Sequence, residues 1–369
     1  MRNHSHCTVL LVAEGSGGHL IPALQVAEVL AAAGCRVACW YAERPQTAPL
    51  VRTLIGPMGG RVEVEPIPMD GVRTLLGRLR HGGRLWRHAQ RAFDAAAPDI
   101  VVGFGGWISA PVILAARQHR IKCVLHEQNV VWGRTNRLLS RLVDRMAISF
   151  HDPDASAPRD SWTLTGLPIR EAIGTVSRDD AARAFGLEAD RPTVLVLGGS
   201  QGARALNRVM ASAAAALSAQ EQKAWQVVHI TGQTDAPMVR QAYAAAGLKA
   251  WVAPFVSEMG SAYALADVVL ARAGASTIAE LARCGLPAVL VPYPYAGGHQ
   301  QFNARLVEGV GGGVTVRESE ATPGRILALL RRIMADSRLR TMMGSQMRSL
   351  DRQDAAERLA ELVLAVAAG

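Results

Sequence analysis

Thr8-Val-Leu-Leu-Val-Ala-Glu-Gly-Ser-Gly-Gly-His19 is a short aliphatic run that ends in small residues and then opens a helical pattern. Strand, glycine-rich turn and helix form the unit from which parallel sheets are wound, and the tight turn needs residues without a bulky Cβ. The same order recurs at Thr193-Val-Leu-Val-Leu-Gly-Gly-Ser-Gln-Gly-Ala203, where Gly199, Ser200 and Gly202 stand 184 positions after Gly15, Ser16 and Gly18. That offset is half of a 369-residue chain, so two similar α/β halves are expected.

Outward from these runs, aliphatic segments alternate with helical ones. Strands are predicted at Thr8–Ala13, Arg36–Trp40, Arg61–Ile67, Ile100–Gly103 and Ile121–Leu125, and again at Thr193–Leu197, Gln226–Ile230, Val268–Ala271, Ala288–Val291 and Gly313–Val316. Pro22–Ala33 reads as a helix with proline near its first turn and Gly34 as its stop. The alternation is that of parallel sheets covered on both faces. The joint falls near Thr165–Arg170, giving domains 1–167 and 168–369; the closing helical patterns, Arg325–Met334 and Ala355–Ala367, either complete the second domain or pack back on the first.

Composition narrows the class. Hydrophobic residues are 49% and charged residues 19%, which excludes a disordered chain, and aromatics at 5% argue against a ring-lined carbohydrate-binding β-domain. The cysteines Cys7, Cys35, Cys39, Cys123 and Cys284 are scattered and odd in number, so buried free thiols are expected and no zinc site. No run of 18 apolar residues occurs, so a cytosolic or peripherally membrane-attached protein is expected. Lys+Arg 40 against Asp+Glu 31 gives +9, and six arginines with no acid lie between Arg73 and Arg91, interleaved with Leu75, Leu76, Leu79, Leu85 and Trp86 and interrupted at Gly82-Gly83. Such a stretch suits an anionic membrane surface; an ordinary amphipathic helix facing the core is the alternative.

Both glycine-rich loops place helix N-termini where an anion is favoured, and two copies suit a diphosphate. Gly15-Ser-Gly17 begins like a dinucleotide fingerprint, with Glu43 where a ribose-binding acid belongs, but the third glycine position is Leu20, so NAD is disfavoured. The halves differ at position 19: His19 has Ala203 as its counterpart. A helix N-terminus disfavours imidazolium, which keeps His19 neutral and able to take a proton; the alternative is a histidine bonding a nearby backbone group. Arg272-Ala-Gly-Ala-Ser-Thr-Ile-Ala-Glu280 is a third small-residue helix start, and Glu280, one turn in, can accept both ribose hydroxyls or simply complement the dipole. His126-Glu-Gln-Asn129 and His299-Gln-Gln-Phe-Asn303 follow strands at the end where α/β ligands bind, with amides apt for sugar hydroxyls or for a solvated loop.

Glu14-Gly-Ser-Gly-Gly-His-Leu-Ile-Pro-Ala-Leu24, Gly103-Phe-Gly-Gly-Trp-Ile-Ser109, His126-Glu-Gln-Asn129, Gly198-Gly-Ser-Gln-Gly-Ala-Arg204, Arg272–Glu280 and His299-Gln-Gln-Phe-Asn-Ala304, taken together and in order, resemble the MurG family of bacterial N-acetylglucosaminyltransferases. The resemblance implies the GT-B fold, two Rossmann-like domains with an interdomain cleft, and inverting transfer of GlcNAc from UDP-GlcNAc to the 4-hydroxyl of the MurNAc sugar of lipid I, giving lipid II for peptidoglycan. It implies Ser16, Gly17 and Gly18 against the substrates and Asn129 on the donor side, and with them His19 is expected to take the proton of the attacking hydroxyl. Arg170 and Ser200 would approach the nucleotide and its phosphates, and Val256 would meet uracil through its backbone. Ala275, Ser276, Thr277, Ile278, Ala279 and Glu280 would hold diphosphate and ribose, and Gln300 the sugar. It further implies an acceptor-binding, membrane-associating first domain, a UDP-GlcNAc-binding second domain, membrane contact through 73–91, and a peripheral place on the cytoplasmic face of the inner membrane, serving cell shape and division. No cofactor, metal or nucleic acid is expected, because helix dipoles can stabilise departing UDP. Another UDP-sugar transferase or epimerase, or a non-catalytic sugar-nucleotide-binding membrane protein, is the alternative. Glu14 departs from the pattern, which usually has glycine there; a carboxylate beside a phosphate loop repels the ligand unless it points away.

Overall fold

The computed structural model describes residues 7–43, 51, 55, 60–69, 75–152, 161–199, 202–295 and 298–369. The chain divides into two compact units, Met1–Ile169 with Arg352–Gly369, and Arg170–Asp351.

In the first unit β1 (Thr8–Ala13) leads into α1 (Gly17–Ala32), β2 (Arg36–Glu43), β3 (Val62–Pro68), α2 (Leu75–Ala95), β4 (Ile100–Gly103), α3 (Ser109–Gln118), β5 (Lys122–Glu127), α4 (Arg134–Leu139), β6 (Arg145–Ile148) and β7 (Trp162–Leu164). The strands form one parallel sheet in the order β3-β2-β1-β4-β5-β6-β7. The β1 run is apolar throughout because it is covered twice: Val9, Leu11 and Ala13 face one core, and Leu10 and Val12 face the other. Between β1 and β4 the strand order reverses, the place where α/β sheets open to ligands.

The second unit runs through α5 (Arg178–Phe185), β8 (Thr193–Leu197), α6 (Arg204–Ala214), α7 (Ala219–Ala224), β9 (Gln226–Ile230), α8 (Ala236–Ala245), β10 (Lys249–Ala253), α9 (Met259–Leu265), β11 (Val268–Ala271), α10 (Ala275–Cys284), β12 (Ala288–Leu290), α11 (His299–Gly309), β13 (Gly313–Thr315), α12 (Pro323–Ala335) and α13 (Ser337–Arg348). Its parallel sheet has the order β10-β9-β8-β11-β12-β13, so β8 occupies the place that β1 has in the first unit. The last helix, α14 (Ala355–Ala368), packs on α1 in the first unit, where Leu359, Ala360 and Val363 join the β1 core.

Three local expectations are corrected. Helix α1 begins at Gly17, so Pro22 lies inside it rather than near its first turn. The missing N–H forfeits one helical bond, while burial of Leu20, Ala23, Leu24, Val26, Ala27 and Leu30 holds the helix in place. Gly82-Gly83 does not interrupt α2, which is continuous from Leu75 to Ala95. A Cβ on Gly82 would stand 3.1 Å from the Trp107 ring, so the missing side chain serves close packing. Of the five cysteines, all free thiols, Cys35, Cys39 and Cys123 are buried while Cys7 and Cys284 are half-buried.

Candidate functional site

The first loop rises from β1 through Glu14 and Gly15 to Ser16, which caps α1 in extended conformation at φ −85° and ψ 149°. The Ser16 carbonyl accepts from the N–H groups of His19 and Leu20 at 3.0 and 2.9 Å, which starts the helix at Gly17. The hydroxyl does not cap the helix; Ser16 Oγ lies 2.8 Å from His19 Nδ1. His19 is half-buried, as are Ser16 and Gly18, while Gly17 is buried. The serine hydroxyl accepts from Nδ1–H in one tautomer and donates to Nδ1 in the other.

Glu14 reaches the turn after β4. Its buried carboxylate accepts from the Trp107 N–H at 2.9 Å, in the turn after β4. Gly105 and Gly106 have φ of 79° and 78°, and a Cβ on Gly106 would fall 1.8 Å from Glu14 Cγ. The acid thus fills the space that this glycine leaves and satisfies a backbone donor.

The loop after β5 is braced internally. Glu127 accepts from the N–H groups of Asn129 and Gly133 at 3.0 Å each, and from the carboxamides of Asn129 at 3.2 Å and Asn136 at 2.9 Å. His126 is fully buried against the Gly166 carbonyl at 3.1 Å and Gln128 at 3.2 Å, and Gln128 also donates to the Phe104 carbonyl at 2.9 Å. Burial pushes the His126 imidazole down to about 4, so it is neutral scaffold. Of His126-Glu-Gln-Asn129, the half-buried Asn129 is the member placed toward the surface.

The second unit gathers its own set. Ser200 lies outside the described residues, so the second glycine-rich loop is seen only in its flanks, with Gly199 and Gly202 at φ 85° and 74°. At the start of α10 Gly274 is the N-cap, Ser276 and Thr277 are half-buried, and Ala275, Ile278, Ala279 and Glu280 are buried. Ser276 Oγ is buried without a protein partner. The Ile278 side chain is wholly in the core and its N–H donates to the Gly274 carbonyl at 3.0 Å.

Arg170 connects residues that the sequence reading kept apart. It donates to the Ser257 carbonyl at 3.2 Å, next to buried Val256, and stands 3.5 Å from Glu280 Oε1. Glu280 Oε2 accepts from the Tyr263 hydroxyl at 2.7 Å. Burial pushes the Glu280 carboxyl above the ordinary range, against the opposing pull of Arg170 and Tyr263. Gln300 on α11 accepts from the Tyr293 N–H at 2.9 Å, and Asn303 donates to the Ala273 carbonyl at 3.1 Å, fixing α11 to the turn before α10. Tyr263 was not singled out from sequence as a ligand-site residue. Tyr263 carries no motif signal, since Ser-Ala-Tyr-Ala-Leu reads as an ordinary core helix, whereas Asn303 closes a polar run that the sequence reading noted.

One Asp-x-Asp spacing, Asp152-Pro-Asp154, follows β6; Asp154 lies outside the described residues. Among the described residues no three histidine, cysteine or carboxylate side chains gather as a metal site, and no helix is long and apolar enough to cross a membrane. On α2, Leu85, Ala89 and Phe93 are in the core, while Leu79 is 68% exposed beside exposed Arg80, Arg84, Arg87 and Arg91. Arg73 lies outside the described residues, and α2 is described only by its backbone at 75, 76 and 78.

The comparisons with known proteins agree with this architecture. Residues 9–148 match the N-terminal domain of glycosyltransferase family 28, and residues 193–359 match its C-terminal domain. A Nocardioides protein named UDP-N-acetylglucosamine--N-acetylmuramyl-(pentapeptide) pyrophosphoryl-undecaprenol N-acetylglucosamine transferase is 37% identical over 98% of each chain. A protein of that name from Halorhodospira halophila is 38% identical over 98% of this chain and 99% of its own. The crystal structure of Acinetobacter baumannii MurG superposes with TM-score 0.74 at 30% identity, covering 97% of this chain and 99% of that one. The calicheamicin glycosyltransferase CalG4, at 20% identity and TM-score 0.68, shares the fold. With relatives aligned over almost its whole length, and both family 28 domains in place on its two parallel sheets, this GT-B chain belongs to the MurG family of N-acetylglucosamine transferases.

Proposed function

We propose that the protein moves GlcNAc from UDP-GlcNAc to the 4-hydroxyl of the MurNAc sugar of lipid I, with inversion, giving lipid II. The observation that carries the mechanism is the Ser16–His19 pair at the mouth of α1. In this reading Ser16 Oγ accepts from Nδ1–H, Nε2 takes the proton of the attacking hydroxyl, and the oxygen displaces UDP from the anomeric carbon in one step. Bond formation to the acceptor and departure of UDP then balance without a covalent enzyme intermediate.

Departing diphosphate carries negative charge, which helix N-termini and their small residues favour. Ala275, Ser276 and Thr277, whose N–H groups open the helix, would serve here together with Ser200, with Ile278 and Ala279 shaping the turn behind them. The orphaned Ser276 hydroxyl supports that assignment, being a buried donor in need of an acceptor. Glu280 would take the ribose hydroxyls, Arg170 the nucleotide phosphates, the Val256 backbone the uracil, and Gln300 with Asn129 the sugar. Gly17 and Gly18 would let the acceptor diphosphate approach the α1 amides. On this reading 1–167 binds acceptor and 168–369 donor.

Membrane attachment would be peripheral, at the cytoplasmic face. Because the apolar stripe of α2 is in the core, the contact would rest on Arg80, Arg84, Arg87 and Arg91 with Leu79 entering the interface. The test is radiolabelled UDP-GlcNAc incubated with a lipid I analogue. Labelled disaccharide product and stoichiometric UDP are expected; UDP release or sugar isomerisation without acceptor dependence would refute the reading.

A further inference from the structure

Tyr263 is a buried phenol with one hydrogen-bond partner in view, the Glu280 carboxylate. Helix α9 reaches that carboxylate because Gly260 lets it lie flat on the chain after Arg170: a Cβ there would stand 2.4 Å from the Ala172 carbonyl oxygen. Arg170 approaches the same carboxylate from its other oxygen at 3.5 Å. Glu280 is therefore gripped from two sides by elements distant in sequence.

A carboxylate has about four lone-pair positions, and Tyr263 and Arg170 take one on each oxygen of Glu280. What remains is one position on each oxygen, the arrangement that a pair of neighbouring hydroxyls needs. A buried carboxylate without donors loses its charge or its orientation. Arg170 alone, at the long end of hydrogen-bond reach, leaves Oε2 free to rotate about the last side-chain bond. The 2.7 Å bond from Tyr263 is of the charge-assisted kind and fixes that rotation. The phenol is a dependable donor: burial and the adjacent carboxylate hold its ionisation well above the ordinary tyrosine range.

We propose that Tyr263 is a positioning residue that orients Glu280 for a vicinal diol, and so sets the preference of the donor site for a ribonucleoside over a 2′-deoxyribonucleoside diphosphate. The inference rests on Glu280 as the ribose acceptor. Tyr263 itself touches no substrate; it acts through the carboxylate.

Calorimetric binding of UDP and of 2′-deoxy-UDP to the full chain, with steady-state transfer from UDP-GlcNAc, tests it. Tyr263→Phe keeps the ring and removes the donor. It should weaken UDP about tenfold, the worth of one hydrogen bond to a charged group, while 2′-deoxy-UDP changes by less than about twofold and donor KM rises far more than kcat falls. Equal weakening of both nucleotides, or no weakening, overturns the proposal, since lost packing would not distinguish a 2′-hydroxyl. Glu280→Gln separates the two levels of argument. If it leaves the UDP to 2′-deoxy-UDP ratio intact, the ribose reading of Glu280 itself fails. If it collapses the ratio and Tyr263→Phe does not, only the positioning role falls. Should Tyr263→Phe not fold, the double variant with Glu280→Gln removes the buried charge and is read against Glu280→Gln alone. Equal UDP affinity then supports the coupling, and a further loss in the double variant overturns it.

Discussion

At the scale of single residues, the proposed mechanism turns on the tautomer of His19. On the proposed mechanism Ser16 Oγ, 2.8 Å from Nδ1, accepts from Nδ1–H and holds the ring direction, so the serine would act on turnover through the histidine. His19→Ala should lower kcat by roughly 10²–10⁴-fold with donor KM changed less than about twofold, the range of a lost general base. Ser16→Ala should lose roughly tenfold in kcat by loosening the ring, and Ser16→Thr, which retains the hydroxyl, should recover most of it. Steady-state rates with saturating acceptor measure both; a His19→Ala enzyme with near-normal kcat removes the base assignment. His19 was legible in the sequence because the internal repeat supplies its own control, an alanine at the matching position of the other half. Glu280 was legible as a first-turn acid after a small-residue helix start. Its partner Tyr263 was not, since a tyrosine in an apolar helix announces burial and says nothing of what its hydroxyl meets.

Among elements, the long buried strands were read most sharply. β1, β4, β8, β9 and β11 have the bounds that their aliphatic runs suggest, because burial on both faces fills them mostly with valine, leucine, isoleucine and alanine, although β9 also buries Gln226 and His229. β6, β7 and β10 were missed: Arg145–Ile148 carries an arginine, Trp162–Leu164 is three residues long, and Lys249–Ala253 is half-buried throughout with no alternation, so none shows a period. The start of α1 was misplaced because proline commonly marks a first turn, whereas here Ser16 starts the helix earlier. The contact between the turns after β1 and β4 joins residues 93 positions apart, Glu14 and Trp107, and no local signal reports it. That contact carries a sharp prediction. Gly106→Ala places a Cβ 1.8 Å from Glu14 Cγ at φ 78°, so it should destabilise by about 2 kcal/mol or more, of which the backbone conformation alone accounts for about 1–2. Pairing it with Glu14→Gly removes the clash and leaves the backbone term. Urea unfolding should therefore show the double variant more stable than Gly106→Ala alone, and a double variant that is less stable refutes the steric account.

For the whole molecule, the two units are each built around a buried neutral histidine, and this sets the response to acid. His126 in the first unit is pushed down to about 4 and His229 in the second to about 3, burial being the leading cause in each. His229 sits between the Tyr243 hydroxyl at 2.7 Å and Asn207 at 3.0 Å, as His126 sits between Gly166 and Gln128. In the unfolded chain each returns to about 6.5. With the folded value below the unfolded one, the unfolded state binds protons first as pH falls. The stabilisation is complete above about pH 6.5 and is lost progressively toward about 4 and about 3. Between pH 6.5 and 5 one such histidine forfeits up to about 2 kcal/mol, at about 1.4 kcal/mol per pH unit. Glu280, whose carboxyl is pushed up by burial, acts in the opposite sense, but only closer to the carboxylate range. Urea midpoints should therefore fall from pH 7.5 to 5.0 for both units, as two transitions where the units unfold apart and as one where they unfold together. His126→Gln removes the titrating ring from the first unit alone, so it should flatten the pH dependence of that unit and leave the other sloped. An unchanged slope in the variant would show that the acid sensitivity arises elsewhere than in the His126 site.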